Sequence, residues 1–166
     1  MHLSQNIEKT LFPLKLIWFA LMAALAVYAF ILIYIKGFNF VDTSNIDSLK
    51  KVMIPMTIVI FVFTLFVSKN KNWLIEKMTS KKSESAPFLK AMDESDRKYL
   101  KNFGSYFVFH IILWAINESG ALLGFLLSFV SGNFIYYIAT STTALIFNFV
   151  LYKPDYKQFM EGKNIV

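Results

Sequence analysis

Between Lys101 and Lys153 the chain carries one formally charged residue, Glu118. That stretch is too long for a single membrane crossing, because about 20 apolar residues already span the hydrocarbon. Ser131, Gly132 and Asn133 form a turn signal near its middle. The stretch therefore divides into two predicted spans, 103–130 and 134–152, joined by a very short loop. Two further charge-free runs precede it. One lies between Lys15 and Lys36, the other between Lys51 and Lys69. They predict spans at about 14–36 and 52–68. Ala24, Leu25 and Ala26 imitate a signal-peptidase site, but the apolar run continues to Ile35, which favours an uncleaved span. The second run sits at the short end of the usual ~17–25 residues, and a re-entrant helix is its alternative reading. Pro55, four residues into that run, fits a first helical turn.

Composition agrees with a chain in lipid. It is 56% hydrophobic and 17% charged, where soluble domains average about 45–50% and about 25%. The absence of cysteine excludes disulfides, thiolate metal sites, iron–sulfur clusters and covalent haem. His2 and His110 are too few and too far apart for a histidine metal cluster. The expectation is no metal and no cofactor. The net charge of +6 would suggest nucleic acid in a soluble protein. Here the charges lie between apolar runs, so no nucleic-acid partner is expected and the basic residues read as a topology signal.

The fold expected is all-α: an integral membrane four-helix bundle of two helical hairpins, one domain over 1–166, with a short basic cytoplasmic helical loop at 69–101. That loop holds nine Lys and Arg against five Asp and Glu. Trp73, Leu74, Ile75 and Met78 predict a short interfacial helix. Phe88, Leu89, Met92, Tyr99 and Leu100, near Asp93 and Asp96, predict an amphipathic stem leading into the third span. Lys81, Lys82, Ser83, Glu84 and Ser85 with Pro87 read as the join between them. With four spans, 14 Lys and Arg share the side of the termini and 3 lie opposite. Positive residues stay cytoplasmic, which places both termini and the loop inside. The loop's cations also suit anionic lipid headgroups.

Glu118 is the residue that most requires a physical explanation. An ionised carboxylate at bilayer centre costs about 2.5–3.5 kcal/mol even on the lenient insertion scale. The carboxyl escapes that cost by taking up a proton or by facing partners or water inside a bundle. No Lys or Arg lies at similar depth in any predicted span. Asn117 adjoins it. In a tight hairpin about 131–133, Glu118 is level with residues 145–148, which makes Asn148 and Thr143 its expected partners. Gly120 and Gly124, with Asn117, Ala121 and Ser128, form a small-residue face. Such a face serves either close packing within one bundle or oligomerisation. His110 lies about 80° and about 12 Å from Glu118 on the same helix, so the two do not touch. It reads as a histidine satisfied near the cytoplasmic end, with a proton relay as the alternative.

Residues 118–128, with Glu118, Ser119 and Gly124, resemble the second helix of the proteolipid c subunit of rotary ATP synthases. That resemblance implies an ion-carrying role for Glu118. It is confined to this one helix. The whole chain resembles a group of small, uncharacterised four-span bacterial membrane proteins through Glu118, the Gly132 and Asn133 turn, and the Lys153 and Pro154 exit. That second resemblance implies a multi-pass protein of the bacterial cytoplasmic (inner) membrane. No Ser/His/Asp set, phosphate loop or paired intramembrane carboxylates is present. The functional expectation is a non-enzymatic bundle protein, partnered by the lipid bilayer and by a second copy or another membrane protein, with Glu118 stabilising helix packing. The alternative is a proton- or cation-responsive protein that uses Glu118.

Overall fold

A computed structural model describes residues 2–43, 45–81 and 94–153, and among these the chain forms helices and loops without a strand. The elements are α1 (His2–Lys36), α2 (Asp47–Lys69), α3 (Lys71–Lys81), α4 (Glu94–Ser131) and α5 (Ile135–Ile146), followed by a π-helical turn at Phe147–Leu151. In hydrocarbon every backbone N–H and C=O must be satisfied within the chain, which makes helices the natural state of these apolar runs. Three helices are long and apolar enough to cross a membrane: Leu11–Lys36, Asp47–Lys69 and Phe103–Ser131.

The differences from the expected spans have local causes. The first apolar helix extends N-terminally past Lys15, through Pro13, so Lys15 lies inside α1 instead of at its edge. The second begins at Asp47, so Pro55 lies inside it instead of in its first turn. Ile135–Leu151 is a shorter apolar helix than the other three, and its last turn widens to π geometry. The segment expected as a fourth span is therefore an α-helix with a π end. The join at 82–87, and Phe88, Leu89, Met92 and Asp93 of the stem, lie outside the described residues.

Glycine ends two of the long helices. Gly37 has φ +74° and donates to Ile33 O at 3.0 Å; Gly132 has φ +76° and donates to Ser128 O at 2.9 Å. A left-handed residue after the last turn caps a helix, and only glycine adopts it without strain. At Gly132 there is a second reason. A Cβ there would overlap the Thr43 side chain from the α1–α2 loop.

The helix α4 is the hub. α1, α2, α3 and α5 all pack on it, whereas α1 and α2 hardly approach each other. The expected hairpin therefore exists for α4 and α5, but α1 and α2 are separate flanks of α4. Burial follows this order: 44% of the apolar window of α4 is buried, against 22% in α2 and 11% in α1. Phe12, Phe19, Phe30, Val59, Val62 and Phe66 point outward, as lipid-facing side chains would. The main apolar cluster joins Leu11 and Leu14 of α1, Val67 of α2, and Tyr106, Phe109, Leu113 and Trp114 of α4. The short helix expected after the second span is α3, whose Leu74, Ile75 and Met78 pack against that cluster. Its Trp73 is exposed, with Lys77 Nζ 4.7 Å from the ring centroid.

Candidate functional site

Asn117 and Glu118 are neighbours in sequence and face different helices. Successive α-helical residues turn by about 100°. Asn117 points at the C-terminal helix and is fully buried. Its Nδ2 donates to Ala144 O at 2.9 Å and to Asn148 Oδ1 at 2.8 Å. Asn148 sits in the π turn, and its own carbonyl accepts the Trp18 indole N–H of α1 at 3.2 Å. The Trp114 indole donates to Tyr152 O at 3.0 Å, just beyond that turn. Helix ends leave carbonyl oxygens without partners in their own helix. Two tryptophans and one asparagine therefore anchor the end of the C-terminal helix to α1 and α4.

Glu118 points at α1 and is half-buried. Its Oε1 accepts one long hydrogen bond, from Tyr28 OH at 3.4 Å. The expected pairing with Asn148 and Thr143 does not form. Asn148 is held by Asn117, and Thr143 is half-buried and donates to Ala139 O of its own helix at 2.8 Å. Tyr28 belongs to a run of rings. Its centroid is 5.4 Å from that of Phe125, which is 6.1 Å from that of Phe129.

The small-residue face is spent inside the chain. A Cβ on Gly120 would press on Phe61 of α2, and one on Gly124 would overlap Thr140 of α5. Ala121 is buried with Leu25 and Ala144. Ser128 Oγ accepts the Tyr137 N–H at 2.8 Å, and Tyr137 OH donates to Leu25 O. The face thus lets α1, α2 and α5 approach α4. His110 is buried and donates from Nδ1 to Tyr106 O at 2.9 Å. The rings of Tyr106, Phe109 and Trp114 surround it at 4.1, 5.6 and 5.7 Å. Those partners belong to its own helix, and Glu118 is not among them.

A second polar cluster was not expected from the sequence. The α1–α2 loop closes over the α4–α5 turn. Phe134 donates its N–H to Asn39 O at 2.7 Å, and Thr43 donates both N–H and Oγ1–H to Ser131 O, at 2.7 and 2.8 Å. Asp42 accepts from Lys50 Nζ, from Asn133 Nδ2 at 3.0 Å and from Tyr136 OH at 3.3 Å. The Lys50 hydrogen bond, followed by that of Asn133, holds the Asp42 carboxyl below the usual carboxylate range. The available signal was one acidic residue in a ten-residue loop beside a lysine one helical turn into α2.

A cleft of about 240 Å³ lies between α2, α4 and α5, lined by Ile54, Thr57, Phe61, Leu127, Tyr136 and Thr140 among others. Thr57 and Thr140 donate to carbonyls of their own helices, so the cleft is largely apolar. Among the described residues, no three His, Asp or Glu side chains gather as metal ligands would. Comparison of the chain with protein-family models, curated proteins and solved structures found no match.

Proposed function

We propose that this chain is a four-span protein of the bacterial cytoplasmic membrane, with both termini and the 69–101 segment inside. Its role in this reading is that of a non-enzymatic bundle or partner protein. Its intramembrane polar side chains serve helix packing. One observation carries the reading: the hydrogen bonds of Trp18, Tyr28, Asn117 and Tyr137 each tie one helix to another. Interhelical hydrogen bonds of this kind contribute about 0.6 kcal/mol each on average, up to about 1.7. The basic 69–101 segment, with Trp73 exposed on α3, suits contact with anionic headgroups.

Two experiments test this. A periplasm-dependent phosphatase fused after Val166 should be inactive; strong activity there would sink the topology. Replacing Glu118 by Leu removes the acceptor for Tyr28 OH, and replacing it by Gln keeps one. If Glu118 serves packing, Leu lowers the unfolding temperature more than Gln does. Equal effects would remove Glu118 from the packing role.

A second reading makes Glu118 a proton- or cation-responsive carboxyl. It is favoured by one contrast. Glu118 has a single 3.4 Å hydrogen bond and is half-buried, whereas Asn117 is fully buried and makes two good ones. A lipid-soluble carbodiimide attacks protonated carboxyls. It should modify Glu118, and less so as pH rises. An unmodified Glu118 at every pH would end this reading.

A further inference from the structure

We propose that the α1/α4 seam at Tyr28 and Glu118 is a binding site for a lipophilic organic cation that enters from the bilayer. The proposal deepens the second reading and rests on Glu118 being a titratable carboxyl within the membrane.

Access comes first. Glu118 turns toward α1 and Gly120 toward α2, where Phe61 covers it. Ser119 lies between them on the helix, about 100° from each, and is exposed. Because α1 and α2 hardly approach each other, this face of α4 stays open between them. It runs through Val108, Ile112, Ala115, Ser119, Leu122 and Leu126, all exposed. Glu118 forms its α1-side edge. The residues next to the carboxyl on the open side, Ala115 and Ser119, are small, and Ala24, one turn before Tyr28 on α1, is small and half-buried. A ligand of moderate bulk can therefore reach the carboxyl from the bilayer without displacing a helix.

Charge comes second. Among the described residues, no lysine or arginine pairs with Glu118; the ion pairs there join Lys50 to Asp42 and Asp47. A carboxylate in hydrocarbon without a cation is costly, and a mobile cation supplies the missing partner. The rings decide which cation. Tyr28, Phe125 and Phe129 form a continuous ladder beside the carboxyl. The ladder already seats one cation at its far end, where Lys36 Nζ lies 5.1 Å from the Phe129 centroid. Ring faces attract desolvated cations. A strongly hydrated ion such as Na⁺ would need several oxygen ligands. The seam offers a carboxyl, a phenol and ring faces. That set fits a large cation with delocalised or shielded charge.

The test uses the full chain in neutral-lipid nanodiscs, with tetraphenylphosphonium as the cation and tetraphenylborate as an anion of the same shape. Each is measured above its partitioning into empty discs. The expected result is saturable phosphonium binding, weakened about tenfold or more in E118Q and by a smaller factor in Y28F, with no saturable borate binding. Equal phosphonium binding by wild type and E118Q would overturn the proposal, as would saturable borate binding. A measurement on the wild-type chain covers the case in which E118Q fails to fold: phosphonium should protect Glu118 from the carbodiimide. Modification that phosphonium does not slow would overturn the cation site while leaving the titratable carboxyl standing. Absence of modification would overturn both.

Discussion

Two polar regions meet at the middle of α4, and they differ in what surrounds them. On one side Asn117 is sealed against Asn148 and Ala144 with no exposed surface. On the other, Glu118 shares a long hydrogen bond with Tyr28 at a seam open to the outside. The residue with the milder chemistry sits in the tighter site. An amide has no charge to shed, and the Asn117 Nδ2 finds two acceptors between the helices, although its buried Oδ1 has no partner. A carboxyl can change its protonation state, so a loose site leaves it free to act. Asn117 fastens the C-terminal helix to α4 through two hydrogen bonds, and Glu118 meets α1 through one long one.

The comparison can be broken by substitution. Asn117→Ala should have the largest effect. It leaves Asn148 and the Ala144 carbonyl without their donor and opens a gap between α4 and α5. The expected loss is about 2 kcal/mol in unfolding free energy, read by denaturant titration in detergent. A loss near zero would equate the two sites. Gly124→Ala comes next. Its Cβ would overlap Thr140, and the strain should cost about 1–2 kcal/mol. The double variant Gly124→Ala, Thr140→Ala should recover much of that loss, which separates a steric cause from a helix-propensity one.

Asp42→Asn tests the loop clasp and should act more weakly, on the outer end alone. Because the Asp42 carboxyl is held below its usual range, its stabilising contribution is full above the unfolded value. It is lost as pH falls through the lowered folded value. Protection of the Phe134 and Thr43 amides, taken relative to their intrinsic exchange rates, should therefore fall in acid in the wild-type chain. In D42N that protection should be low already at neutral pH and change little in acid. Acid-insensitive protection in wild type would count against the clasp. Glu118→Gln should be the mildest, within about 0.5 kcal/mol of wild type, since an amide oxygen still accepts from Tyr28.

Much of the helical plan was legible in the chain, and the reasons are physical. Lys15, Lys36, Lys51, Lys69 and Lys101 bracket apolar runs that must bond internally in lipid, and each run lies within one of three long apolar helices. Gly132 and Asn133 located the turn, because few residues take a left-handed cap and glycine does so without strain. The partners of Glu118 were not legible. Depth along a hairpin aligns 118 with 145–148, but it cannot say which of two adjacent residues faces the neighbouring helix. Asn117 took Asn148, and the turn of about 100° carried Glu118 round to α1. Tyr28 was missed for a related reason. Side chains on a helix lean toward its N-terminus. A tyrosine therefore reaches a level about a turn below its own Cα. The packing of α1 and α2 was also hidden. Two spans joined by a ten-residue loop need not pair, and both found more contact on α4.

The contrast between Asn117 and Glu118 is tested most directly by unfolding N117A and E118Q side by side in the same detergent. The expected result is a loss several times larger for N117A, with E118Q close to wild type. A larger loss for E118Q would make the carboxyl the structural anchor of the membrane core and contradict the division of roles between the two residues.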